Sequence, residues 1–183
     1  EDVVMVKSNV VLKKKPVYDF LKRCFDIVAS FLFSIVFAIP MILVALLIMK
    51  KDNGTPFYQQ QRMGKNGKKI GVYKFRSMKK DAEKELVNLL DQNETQGITF
   101  KMQNDPRITK VGAILRKTSL DELPQVINIL KGDMAVIGNR PYLPREKEDM
   151  GEYFDDIVST KPGLTGLWQT AGTKKTTFAH RLL

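Results

Sequence analysis

Ile27 to Met49 is a run of 23 residues without a single charge, IVASFLFSIVFAIPMILVALLIM. As one helix it reaches roughly 35 Å, enough for the hydrocarbon core of a bilayer. A helix apolar all round needs lipid, or protein on every side. The run is too long for a signal peptide, no small-residue cleavage site follows it, and more than 130 residues of mostly polar chain come after. Membrane insertion is therefore the expectation.

Two features complicate a straight span. Lys13, Lys14, Lys15, Lys22 and Arg23 precede the run, and Lys50 and Lys51 follow it. Positive flanks favour the cytoplasmic side, and here both flanks are positive. Pro40 lies just past the middle, where it removes a helical hydrogen bond. A re-entrant helix that turns at Pro40 accounts for both features. A spanning helix with a proline kink remains open on these residues alone. Freed backbone groups at a bend need partners, and Ser34 is one candidate. Asp26 is expected to pair with Lys22 or Arg23, and Cys24 to be a small packing residue.

The rest of the 183-residue chain is basic: 30 Lys and Arg against 20 Asp and Glu, a formal net charge of +10. Anionic partners are implied, such as phosphorylated small molecules, lipid headgroups or nucleic acid. No nucleic-acid motif with interleaved aromatics is present, so nucleic acid is not expected. One cysteine and one histidine exclude an internal disulfide and a Cys/His zinc site. A metal here would be a hard cation on oxygen ligands, magnesium above all.

After the apolar run, Gly54 to Phe75 reads as a β-hairpin with an Asn66-Gly67 turn. Its glycines and lysines do not have phosphate-loop spacing. Lys79 to Asn93 reads as a charged amphipathic helix with Ala82, Leu86, Leu89 and Leu90 on one side. Asp105-Pro106-Arg107 marks a turn. Leu120, Leu123, Ile127 and Leu130 form one helical stripe ended by Gly132, with Asp121, Gln125 and Asn128 on the polar side.

The motif Lys117-Thr118-Ser119-Leu120-Asp121-Glu122-Leu123-Pro124-Gln125 admits two readings. Ser119-x-x-Glu122 is a capping box, and Asp121 suits the first turn of a helix. Alternatively, one carboxylate attacks a phosphoryl centre and its neighbour holds magnesium, with Arg116 and Arg140 offsetting phosphate charge. The two readings coexist if only Ser119 caps.

The ordered set of motifs resembles the bacterial sugar transferases, specifically monotopic polyprenyl-phosphate phosphoglycosyl transferases. The set runs Lys22-Arg23-x-x-Asp26, the proline-bearing apolar helix, Gln61-Arg62-x-Gly64, Lys74-Phe75-Arg76-Ser77-Met78 and Asp105-Pro106-Arg107-Ile108-Thr109. It continues through Arg116 to Gln125, Asn128-x-Leu130-Lys131-Gly132-Asp133-Met134, Arg140-Pro141 and Lys161-Pro162-Gly163-Leu164-Thr165-Gly166. The resemblance implies a helix broken near Pro40 and a site on the cytoplasmic face of the bacterial inner membrane. It implies Asp121 as nucleophile and Glu122 as catalytic residue and Mg2+ ligand, with Lys74, Arg116, Arg140 and Pro141 binding substrate. The substrates implied are a UDP-sugar and undecaprenyl phosphate, at the start of capsule, exopolysaccharide, O-antigen or glycoprotein glycan assembly. Departures from the usual family pattern are Ile39 for a serine before the breaking proline, Asn139 for a proline, and Thr173 for an arginine.

The expected architecture is α+β and predominantly helical: a re-entrant membrane helix, amphipathic interfacial helices and a small β-hairpin. Residues 1–21 are expected to be a linker or interfacial segment, 22–51 the re-entrant helix, and 52–183 a cytoplasmic catalytic domain incomplete at its C-terminus. The competing functional class is a membrane-anchored basic binding or scaffold module without catalysis.

Overall fold

The computed structural model describes residues 15–52, 54–92, 102 and 104–166. The expected N-terminal linker lies largely outside them, as do most of the connection after Gln92 and the Gln169–Thr173 motif. In chain order come α1 (Pro16–Asp52), the strands β1 (Phe57–Met63) and β2 (Lys69–Phe75), then α2 (Ala82–Leu86), α3 (Lys110–Lys117) and α4 (Val126–Lys131). β3 (Ala135–Ile137), α5 (Lys147–Met150), α6 (Phe154–Val158) and β4 (Gly163–Thr165) follow. The expected predominance of helix with a small sheet is observed.

α1 differs from its predicted bounds. It begins at Pro16, where the fixed φ of proline suits a first helical position, so the helix takes in part of the expected linker. Pro40 lies inside α1, and helical conformation continues through it instead of breaking there. A proline removes one hydrogen bond without ending a helix whose other bonds persist. Ser34 does not serve the Pro40 region, since its Oγ donates to Ser30 O one turn earlier, at 2.7 Å. α1 is long and apolar enough to cross a membrane, and residues such as Phe31, Leu32, Val36, Ile39 and Leu43 are exposed along it. Such a face is suited to lipid, not water.

The chain folds as two compact units. The first contains residues 1–35, 61–72 and 126–183. Ile70, Val72, Ile129 and Met134 form one core, with Val136 and Leu164 against it. Tyr142, Met150 and Ile157 form a second, with Tyr153 and Phe154. β3 and β4 pair in parallel, Ala135 opposite Gly163 and Ile137 opposite Thr165. Their crossover carries the short helices α5 and α6, the length a parallel connection requires.

α4 ends at Gly132, as its sequence position predicts. Gly132 has φ +89°, and its N–H donates to Asn128 O and Ile129 O, satisfying the last carbonyls. The predicted polar side of this helix is corrected. Asn128 is fully buried and Gln125 nearly so, whereas Leu130 is partly exposed. Asn128 Nδ2 donates to Gly71 O at 2.8 Å, which removes the penalty of burying its amide. The N-terminal half of α1 belongs to this unit. Arg23 donates to Ile129 O at 2.6 Å and to Leu130 O at 2.8 Å, capping α4. Asp26 pairs with Lys22 at 3.4 Å, as expected, and also accepts from Val136 N–H at 3.0 Å. Cys24, expected to pack, is exposed.

The second unit contains residues 36–60 and 73–125. Ile48, Phe75 and Leu115 are its buried centre, with Met41, Val44, Val111, Leu120 and Leu123 around them. Burying each such side chain stabilises the fold by about 1.5–3 kcal/mol. Phe57 stacks on Phe75 with ring centroids 5.3 Å apart. The predicted helix over Lys79–Asn93 is corrected to the single turn of α2 followed by a 3-10 segment, Val87–Gln92. Ala82 is buried, but Leu86 and Leu89 are only partly buried, so the stripe does not hold a continuous α-helix against the core.

The hairpin follows expectation. β1 and β2 pair, and Asn66 and Gly67 both take positive φ, 56° and 72°, in the connecting turn. Those values are what an Asn-Gly turn supplies at least cost.

Candidate active site

The candidate nucleophile sits in the second unit, just after α3. Thr109 caps α3: its side chain accepts from Gly112 N–H at 2.9 Å. Preceding it, Asp105 and Arg107 form a buried two-point ion pair, Nη2 to Oδ2 at 2.6 Å and Nε to Oδ1 at 2.8 Å. The guanidinium holds the Asp105 carboxyl below its ordinary value, and burial opposes this only in part. Arg107 also reaches Ala82 O at 3.3 Å, tying α2 to the approach to α3.

Gly112 is required by close packing. A Cβ there would collide with the backbone carbonyl of Ser77. The same contact brings Arg116, one turn on, to Ser77: its Nε donates to Ser77 Oγ at 2.9 Å. Ser77 also accepts through its carbonyl from Thr109 N–H at 3.1 Å.

α3 closes at Thr118, and Ser119 takes φ +57°, the left-handed region usually given to glycine. The capping-box expectation is overturned here. Ser119 ends α3, and Leu120–Gln125 is a 3-10 helix, not the first turns of an α-helix. Glu122 does not reach back to the backbone; its Oε1 accepts from Lys74 Nζ at 2.7 Å. With three residues per turn, Leu120 and Leu123 share one side and pack on the Ile48–Phe75–Leu115 core. Asp121 and Glu122 are left on the other side. Lys74 meets them because it neighbours buried Phe75 on β2, where alternate side chains face opposite ways.

Asp121 is partly desolvated. Burial pushes its carboxyl above the ordinary value, and the charge of Glu122 adds to this. Lys74 and Arg116 pull in the opposite direction. A carboxylate with a reduced water shell has less solvent to shed before attacking phosphorus. The second unit thus brings together four predicted site residues: Lys74, Arg116, Asp121 and Glu122. Pro40 also belongs to this unit, within α1.

Arg140 and Pro141 belong to the first unit. Arg140 lines a small cleft with Met63, Gly64, Tyr142, Ile157 and Pro162. Pro141 O accepts from Arg62 Nη1 at 3.0 Å, and Met63 N–H donates to Tyr142 O at 2.8 Å, pinning this segment to β1. Asn139 closes the loop twice. Its Nδ2 donates to Ile157 O at 3.2 Å, and its carbonyl accepts from Gly163 N–H at 2.8 Å. A proline at 139 would lack the side-chain bond.

Among the described residues, no group of three or more His, Cys, Asp or Glu gathers as a closed metal cage. Magnesium is commonly held by only one or two carboxylates together with substrate phosphates, so the lack of such a cage does not bear on it. Glu122 gives one oxygen to Lys74, and a carboxylate has a second. Sequence reading missed Ser77, Gly112 and Arg62 as supports of the site. Their motifs were visible, but their contacts depend on elements distant in the chain.

Residues 17–183 match the family described as bacterial sugar transferase. The chain is 44% identical over 156 residues, 85% of its length, to the galactosyl transferase CpsE of Streptococcus agalactiae serotype III, covering 34% of that protein. It is 42% identical over 167 residues, 89% of its length, to the undecaprenyl-phosphate galactose phosphotransferase of Salmonella typhimurium, covering 35% of it. It is 38% identical over 172 residues, 92% of its length, to the exopolysaccharide production protein ExoY of Rhizobium meliloti, covering 76% of it. The chain therefore spans about a third of the first two relatives and three quarters of the third.

Proposed function

The chain belongs to the bacterial sugar transferase family, and we propose that it transfers a sugar-1-phosphate from a UDP-sugar to undecaprenyl phosphate. The observation that carries this is the Asp121–Glu122 pair, with Lys74 2.7 Å from Glu122 and Arg116 held by Ser77. The names of the relatives from Streptococcus and Salmonella make galactose the first sugar to try.

The reaction runs in two displacements. Asp121 attacks the sugar-linked phosphorus of the donor, the bond to the UMP oxygen breaks, and UMP leaves. The sugar phosphate is then an acyl phosphate on Asp121. An oxygen of undecaprenyl phosphate attacks that phosphorus, the bond to Asp121 breaks, and the carboxylate is regenerated with a lipid diphosphate sugar as product. Arg116, fixed at Ser77, offsets charge on the transferring group, as does Lys74. Arg140 and Pro141 are the further residues that the family resemblance assigns to donor binding. Glu122 would hold magnesium, which when bound supplies positive charge to the phosphate oxygens. The product would begin capsule, exopolysaccharide, O-antigen or glycoprotein glycan synthesis.

The proposed setting is the cytoplasmic face of the inner membrane, with α1 re-entrant. Two sequence features support re-entry: basic residues flank both ends, and Pro40 has no N–H to donate within the helix.

The test is to supply the full-length protein with magnesium, a panel of UDP-sugars and undecaprenyl phosphate, and to measure UMP. UMP release is expected with at least one sugar, and its loss in Asp121→Asn. No UMP with any sugar, or undiminished release by Asp121→Asn, overturns the assignment. For topology, cysteines placed near Lys15 and Lys51 should both be labelled only from the cytoplasmic side.

A further inference from the structure

We propose that Gln125 is a further active-site residue, its carboxamide N–H donating to an oxygen of the phosphoryl group as this passes to and from Asp121. The proposal rests on the two-step transfer described above and assigns one more donor to the same site.

The position of Gln125 follows from the 3-10 geometry of Leu120–Gln125. Three residues per turn and a rise of about 2.0 Å per residue sort this segment into three rows. Leu120 and Leu123 form the row packed on the Ile48–Phe75–Leu115 core. Asp121 and Pro124 form the second, and Glu122 and Gln125 the third. Gln125 therefore follows Glu122 one turn on, about 6 Å along the axis, in the row that Lys74 meets.

The second observation is the state of its amide. Gln125 is 3% exposed, and among the described residues no hydrogen bond holds its side chain. Asn128, three positions on, is fully buried and donates to Gly71 O at 2.8 Å. Buried amides are nearly always paired in this way, since an unpaired one costs its full desolvation. The Gln125 amide is unpaired but not sealed in. The fully enclosed unpaired atoms include Ser30 Oγ and Asp52 Oδ2 but neither amide atom of Gln125. What little surface the residue has thus includes its amide, within reach of a group that arrives with the substrate.

The neighbouring groups leave that bond unclaimed. Asp121 is governed by burial, Lys74, Glu122, Arg116 and its own backbone N–H, with no hydrogen bond from Gln125. Lys74 is committed to Glu122, and Arg116 to Ser77. As the bond from the Asp121 carboxylate to phosphorus forms and the bond to the UMP oxygen breaks, charge shifts over the phosphoryl oxygens. Gln125 donates to one of them and keeps its proton. A fixed neutral donor strengthens with that charge and does not compete for the nucleophile beforehand.

The experiment compares full-length wild type, Gln125→Met and Gln125→Glu, two substitutions close to glutamine in size that lack the N–H donor. Thermal unfolding in detergent should place Gln125→Met at or above wild type, because it removes an unpaired buried amide. UMP release by the same variant should fall on the order of 10²-fold, chiefly in kcat. Gln125→Glu keeps the test valid if the methionine variant fails to fold, and should lose UMP release at least as far. A separate reading needs no sugar donor. Fluoroberyllate with magnesium, which mimics a phosphoryl group on aspartate, should protect wild type against unfolding, with an affinity about tenfold weaker in Gln125→Met. Wild-type UMP release in either folded variant overturns the proposal. So does a loss of stability in step with the loss of release in both, which would make Gln125 a structural residue only. Active wild type with equal fluoroberyllate affinity in Gln125→Met sinks this proposal alone. Inactive wild type whose fluoroberyllate affinity still depends on Gln125 sinks the transferase reading and leaves Gln125 as a phosphoryl donor at Asp121.

Discussion

Lys74 Nζ lies 2.7 Å from Glu122 Oε1, joining β2 to the 3-10 turn that carries the proposed nucleophile. Both side chains are partly exposed, so the pair contributes little to stability. Its consequence is positional and electrostatic. Lys74 also lowers the proton affinity of Asp121 against the stronger effect of burial. Lys74→Gln is therefore expected to move the acid limb of the kcat/KM profile to higher pH. It should also lower UMP release on the order of 10²-fold, the usual cost of losing one transition-state donor. A pH–rate series on wild type and variant checks both effects.

Asp121→Asn should abolish UMP release and raise stability at neutral pH. The sign follows from the direction of the shift. Burial raises the folded-state affinity of Asp121 for a proton above that of the unfolded chain. Its ionisation is then a destabilising load, absent below the ordinary carboxyl value near 3.8 and fully present above the folded value. Asparagine removes the charge and keeps the shape. Thermal unfolding in detergent at pH 7 should show a higher midpoint for the variant, and the gain should vanish in acid.

Gly112→Ala should cost about 1–3 kcal/mol, the range for overpacking a tight contact. The added methyl meets the Ser77 carbonyl, so α3 must shift and carry Arg116 off Ser77 Oγ. Ser77→Ala loses the Arg116 contact without the collision. It should leave stability nearly unchanged while lowering UMP release, which separates misplacement of Arg116 from general unfolding. Urea unfolding and turnover of the two variants decide this.

Asp105→Ala should destabilise the fold by about 3–5 kcal/mol, because it strands a buried guanidinium. The ion pair also sets an acid limit. Asp105 is held below its ordinary value near 3.8 by Arg107, so its contribution is present above that value and is lost as pH falls below it. Unfolding midpoints should hold in wild type down to about pH 4 and fall below it, and should fall less in Asp105→Ala.

Ser119→Gly should stabilise the chain by about 1 kcal/mol, since a left-handed φ penalises any residue with a Cβ. Thermal unfolding of this variant beside Ser119→Ala, which keeps the penalty, measures the effect.

Much of this was readable from the chain. Asn66-Gly67 demanded the turn it makes, Gly132 ended its helix, and the 23-residue apolar run became the exposed helix it predicted. The carboxylate pair and Arg116 were also named from their motif, and Lys74 from the family resemblance. What escaped reading was phase. The left-handed Ser119 and the 3-10 turn after it rotate the following residues relative to a regular helix. Gln125 and Asn128, polar by type, therefore face inward, and Leu130 faces out. A capping box and this arrangement share the same letters. Glu122 selects Lys74 over its own backbone only because β2, 48 residues earlier in the chain, is brought alongside. Local pattern carries no information about that encounter.

The apolar helix has a practical consequence for anyone handling this protein. Membrane anchors can often be trimmed away or exchanged for a soluble fusion partner. Here excision would leave the hole once filled by Ile48 between Phe75 and Leu115, directly beneath Leu120 and Leu123. It would also strip Arg23 from the end of α4 and Asp26 from Val136. A detached globular piece would lose parts of its own interior, so the apolar helix is at once an exposed apolar surface and part of the packed core.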